Sequence, residues 1–251
     1  MKKLLLLSGF MISIQLISLS QEFQKEDELL FKKTLVKRID LREKQNEPLF
    51  SKGNEISMLL ISAVKNGTLT AYKDGLMDST LSLEEFMEKL KLPEIEVDCF
   101  DCEEGVMMEV DYLLPKDLYL IDLKEEIVFN KDLSREEHRI KSFNLFFSAD
   151  HPENIRGIDM LIASFDYEEL KNNVFRNNAN AIWYNPYNDN EHLNLVDAFE
   201  LQLYHGYLIK VSNPNDAYLV DMYGGDPKIG MMASQWKAFE MLEYEHNLWE
   251  F

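Results

Sequence analysis

The sequence predicts an α+β fold: a helical N-terminal part, a mostly antiparallel sheet and a closing C-terminal helix. Three observations carry this. Apolar residues recur every three or four positions up to Pro93. They alternate in twos between Leu118 and Phe147. The longer spacing then returns after Pro227.

Residues 1–20, MKKLLLLSGFMISIQLISLS, read as a signal peptide. Lys2 and Lys3 precede an apolar stretch from Leu4 to Ile17, and Ser18 and Ser20 are spaced for cleavage before Gln21. The stretch is broken by Ser8, Gly9, Ser13 and Gln15 and falls short of the roughly 20 residues of a spanning helix, which argues against a retained anchor. No cysteine stands near the cleavage point, so no direct lipid anchor is expected.

Residues 21–93 form the helical part. Across 22–46, Phe31, Leu35 and Ile39 recur every four residues with Val36 beside them, and Pro48 stops the element. A second helix runs from about Glu55 to Lys65. Ile56, Leu60 and Val64 make its stripe, Met58, Leu59 and Ile61 widen it, and Asn66-Gly67 closes it. Thr68–Tyr72 is a short strand candidate. Ser82 and Glu85 make a capping box opening a helix with Leu83, Phe86, Met87 and Leu90.

Residues 94–117 are an acidic connection, and 118–251 the α+β part. Tyr119, Ile121, Leu123, Ile127 and Phe129 fall on one strand face, with Glu125 breaking the series. Asn130–Ser134 is a turn, and Phe143, Leu145 and Phe147 alternate on the return strand. A third strand is expected at Ile158–Phe165, then a short helix capped by Asp166 and Glu169. Ala181–Tyr184 is a brief strand candidate, Asn185–Asn194 a loop, Leu195–Leu203 helical and Tyr207–Val211 a strand. Gly224-Gly225-Asp226-Pro227 breaks the chain. A final helix follows from about Lys228, with Ile229, Met232, Trp236 and Phe239 three or four apart. Leu248, Trp249 and Phe251 close the chain, either as docked core or as an aromatic anchor for a partner.

Charge excludes some functions. The 251 residues hold 45 acids against 26 bases, a net charge of −19 that becomes −21 once Lys2 and Lys3 leave with the leader. Such a chain does not bind nucleic acid or anionic lipid unaided. Apolar residues at 46% supply a core.

Catalytic motifs do not assemble. G-x-S-x-G, the phosphate loops and H-E-x-x-H are absent. S-x-x-K occurs at Ser62–Lys65 and Ser234–Lys237 without its companion motifs. His138, His151, His192, His205 and His246 lack helical ligand spacing. No catalytic residue, metal ligand or cofactor is therefore assigned. Cys99 and Cys102 form a C-x-x-C pair, but Asp98, Asp101, Glu103 and Glu104 surround it and raise thiol pKa values. A local disulfide or two unpaired thiols fit better than redox catalysis. Clusters at Asn185–Glu191 and Asn213–Asp216 offer oxygen ligands for calcium but miss the EF-hand spacing, and the ordinary solvated loops of an acidic protein explain them better. Two rival functions stand beside an assembly role. One is a periplasmic metal-assisted hydrolase built from scattered His and Asp. The other is a soluble glycan- or peptide-binding protein using Trp183-Tyr184 beside its polar loop.

Two segments then point to a family. They are Lys37–Phe50 (KRIDLREKQNEPLF), followed by Ala63-Val64-Lys65-Asn66-Gly67 and Ala71-Tyr72, and the closing run Glu245–Phe251 (EHNLWEF). In this order behind a signal peptide, the chain resembles the GldN/PorN family of the type IX secretion system, which is also linked to gliding motility. The resemblance implies a periplasmic, non-enzymatic subunit at the inner face of the outer membrane. It implies self-association within a ring, built with a GldK/PorK-like outer-membrane lipoprotein beside a GldL/GldM-like inner-membrane motor. It supplies no contact residues. Ring contacts among acidic subunits call for a basic counterpart, and Lys37, Arg38, Arg42 and Lys44 are the candidate partner-contact patch, or else a solvated helix face.

Overall fold

The computed structural model describes residues 29–92, 111–130, 135–176 and 178–249. Its elements are, in chain order, β1 (Leu29–Asp40), β2 (Phe50–Ser51), β3 (Asn54–Glu55), α1 (Ile56–Lys65) and α2 (Leu83–Lys89). Then come β4 (Leu120–Asn130), β5 (Arg135–Phe147), β6 (Met160–Asp166) and α3 (Tyr167–Leu170). The last are β7 (Ile182–Trp183), β8 (Leu193–Asn194), α4 (Leu195–Glu200), β9 (Tyr207–Val211), α5 (Leu219–Met222) and α6 (Pro227–Trp249). Five strands form one antiparallel sheet in the order β6-β5-β4-β1-β9. The α+β class, the antiparallel sheet and the closing helix are thus as expected.

The helix expected over residues 22–46 is instead a strand, β1, across Leu29–Asp40. Phe31, Leu35 and Ile39 fit a period of four, and every second step of a period of two fits it equally. Lys33 and Lys37 occupy the intervening positions on the same strand face and hide the alternation. Pairing decided the outcome. β1 runs along β4 from Leu29↔Asn130 to Asp40↔Leu120, and β9 bonds its other side from Leu35↔Val211 to Arg38↔Tyr207. The expected strand at Thr68–Tyr72 reduces to bridges from Tyr72 to Thr80 and Ser164. The expected cap of α2 is present in full: Ser82 Oγ accepts from Glu85 N, and Glu85 accepts from Ser82 N.

One sheet face carries two apolar clusters. The larger joins Ile39, Ile121, Leu123, Phe143, Leu145 and Phe165 to α1, to Phe86 of α2 and to Phe199 of α4. Seven of the ten residues of α1 are buried, as its wide apolar surface demands. The smaller cluster joins Leu35, Ile127, Leu208 and Val211 to Leu219 of α5 and Ala233 of α6.

Between the clusters lies a polar layer centred on Glu125, whose side chain is 0% exposed. Lys37 Nζ stands 2.9 Å from its Oε2, and Tyr204 donates its hydroxyl to Oε1 at 2.5 Å. His138 Nδ1 lies 3.6 Å from Oε2, while its Nε2 is 3.0 Å from Glu136 Oε1. The irregularity in β4 and the lysine in β1 are therefore two halves of one interaction, set diagonally across the strand pair.

Removing Glu125 strands three donors, whereas removing Lys37 leaves the carboxylate with Tyr204 and His138. Glu125→Leu is expected to cost about 3–5 kcal/mol in urea unfolding. Lys37→Met, whose amine reaches partly into water, is expected to cost about 1 kcal/mol.

Candidate interaction surface

The final helix is placed by its approach. Gly224 and Gly225 take φ of +91° and +79°, and Gly225 N bonds back to Val220 O at 2.9 Å, ending α5. Asp226 Oδ1 accepts from Lys228 N at 2.8 Å and Pro227 fills the first turn, so α6 starts sharply. Its inner face is small where it crosses α5. A Cβ on Gly230 would lie 2.9 Å from Val220 Cβ. Ala233 and Ser234 are buried one turn on, and Met241 packs against the smaller cluster. The Tyr244 ring packs tilted against Phe31 of β1, with ring centroids 4.9 Å apart.

The opposite face is apolar as well. Exposures are 44% for Ile229, 64% for Met232, 71% for Trp236, 70% for Phe239 and 60% for Leu242. The three-to-four spacing seen in the sequence is real, and it points outward. Docking needed close approach to α5 and the sheet, and the small residues Gly230, Ala233 and Ser234 supply it. Large side chains at those positions would hold α6 off, so the bulky set is left on the far side. Sequence reasoning missed this surface. The signal was Gly230-x-x-Ala233-Ser234, a small-residue seam running opposite the bulky one.

Beneath the C-terminal half of α6 runs a groove of about 620 Å³, lined by Phe31, Leu35, Ile127, Leu208, Met241 and Tyr244. Its polar end is the Glu125 layer, reached through Lys37, Glu136 and His138. Burial pushes the Glu125 carboxyl up, but the His138, Lys37 and Tyr204 contacts outweigh burial and hold it at about 2. Glu125 and then Glu136 raise His138 to about 9, against burial and the Lys37 charge. The layer is therefore a charged, ion-paired network at neutral pH.

The sequence-predicted residues fall elsewhere. Lys37 and Arg38 are neighbours on a strand, so they point to opposite faces. Lys37 reaches Glu125. Arg38 Nε donates to Asp122 at 2.7 Å, and its Nη1 donates to Asp159 at 2.5 Å. Arg42 pairs with Asp40 and lies 3.7 Å from the Tyr119 ring centroid, and Lys44 is exposed. The structure thus spreads these four cations instead of gathering them. Leu248 and Trp249 belong to the last turn of α6, with their side chains outside the described residues. Cys99, Cys102 and Phe251 also lie outside them, as do residues 1–28.

The histidines are spread over the fold too. His205 pairs with Glu43, His151 Nε2 is 3.4 Å from Asp117, and His192 Nδ1 accepts from Asn185 N. Among the described residues, no three His, Cys, Asp or Glu side chains gather as a metal site. The amide-rich loops satisfy themselves. Asn213 Oδ1 accepts from Asn215 N and Ala217 N, and Asn185 Oδ1 accepts from Tyr187 N. Among the described residues, no helix is long and apolar enough to cross a membrane.

The profile of the family described as gliding motility associated protein GldN matches residues 24–250. The chain belongs to the GldN family. No curated protein matches it. The GldN match spans β1, the Glu125 layer and all of α6, so the outward apolar face belongs to the family-matched body.

Two outcomes follow from this geometry. Gly230→Val drives a side chain into Val220 and is expected to loosen α6 at a cost of about 1–3 kcal/mol, read as faster tryptic cleavage after Lys237. The His138 pKa stands above its unfolded value of 6.5, so its stabilisation is complete below about pH 6.5 and is lost as pH rises through about 9. The melting temperature should fall across that window, and His138→Gln should flatten the fall.

Proposed function

We propose that this chain is a non-enzymatic structural subunit of the type IX protein secretion machinery, needed for secretion and for gliding motility where the cell glides. It works in the periplasm after loss of residues 1–20, at the inner face of the outer membrane. There it forms a ring with a GldK/PorK-like lipoprotein, beside a GldL/GldM-like inner-membrane motor. One observation carries the assembly reading: α6 is bound to the fold by its small-residue face and turns Met232, Trp236 and Phe239 to solvent. Monomeric proteins rarely expose a contiguous apolar patch of this extent unless a partner covers it. Membership of the GldN family supports the machine to which the surface belongs.

Deletion of the gene tests this. Loss of cargo export into the medium is expected, with restoration by the wild-type copy. Normal export without a compensating paralogue overturns the reading.

A further inference from the structure

The outward face of α6 carries more than apolar surface. Lys228 lies at its start and Glu243 near its end, both exposed, and neither forms an ion pair among the described residues. At 100° per residue Glu243 lies in line with the row formed by Met232, Trp236 and Phe239, and Lys228 lies beside it on the Phe239 side. Lys228 precedes Trp236 by eight residues and Glu243 follows it by seven, about 12 Å and about 10.5 Å along the axis. The two opposite charges are thus nearly equidistant from the largest exposed side chain. The remaining Lys237 is paired with Glu240 at 2.8 Å, off this row.

We infer that α6 packs antiparallel against α6 of a second copy of this chain, crossing at Trp236. A twofold axis there sets Lys228 of each copy beside Glu243 of the other and closes two equivalent ion pairs at the rim. A parallel pairing would set lysine on lysine and glutamate on glutamate. Area favours the same occupant. At about 200 Å² for a fully exposed large side chain, the five apolar residues present several hundred square ångströms, near the roughly 800 Å² per partner of a stable interface. Met and Trp are also the residue types that interface centres favour. The cross-pairs offset locally the repulsion expected between two acidic chains, each of net charge −21 once Lys2 and Lys3 leave the −19 of the full sequence. This inference rests on α6 being an assembly surface and names its first partner.

The test is sedimentation equilibrium on the chain purified from the periplasm, with circular dichroism confirming the fold. The wild type is expected to dimerise, and Trp236→Glu to be monomeric while still folded, because that side chain already faces water. Lys228→Glu or Glu243→Lys alone should weaken the dimer about tenfold, and the double swap K228E/E243K should restore it. A wild-type chain that stays monomeric overturns the inference, as does a dimer indifferent to Trp236→Glu. A monomeric chain that captures the lipoprotein partner only with Trp236 intact gives this face to that partner. The function proposed above then stands and the self-pairing falls.

Discussion

A single buried anion organises this molecule. Glu125 sits where β4 should carry an apolar residue, and an unpaired carboxylate there would be untenable. Its partners come from β1, β5 and the segment between α4 and β9, so satisfying one charge fixes four stretches of chain against each other. The same residue divides the apolar face. On one side the sheet meets α1, α2 and α4, and on the other it meets α5 and α6. The smaller side is a modest core holding one long helix. A helix so held can be kept with its bulky face outward only if the inner seam is close-fitting, which explains Gly230 against Val220.

Much of this was legible from residues alone, and the failures have physical causes. The β4–β5 hairpin, the caps of α2 and α3, and the break before α6 rest on local rules, where side chain and backbone decide together. β1 failed because two lysines stood at inward positions, and the one that is tolerated by an ion pair, Lys37, finds its partner in Glu125, 88 residues away in sequence. A window of ten residues sees neither partner. The same pair makes Lys37 a poor guide to a surface patch, since its charge is consumed inside the fold. Arg38 fails likewise, because Asp122 and Asp159 take both ends of its guanidinium.

Helix α6 failed differently. Its periodicity was legible, and which face docks was not. Two faces of one helix carry usable apolar spacing, one bulky and one small, and hydropathy alone prefers the bulky one for the core. Packing prefers whichever lets the backbone approach its neighbour. Small residues at consecutive turns signalled that, but they carry little hydrophobicity and are easily passed over.

The sheet edges are poor sites for assembly by strand addition. Edge strand β6 is blunted: Lys89 Nζ donates to the carbonyls of Leu161 and Ile162 at 3.2 and 3.0 Å, and Tyr72 bridges Ser164. The other edge, β9, is only five residues long, and its pairing with β1 shifts register between Val36 and Lys37. Short, irregular or lysine-capped edges make poor templates for a further strand. In the assembly proposed above, guarded edges and an open helix face leave the chemistry of α6, rather than backbone pairing, to set the partner and its orientation.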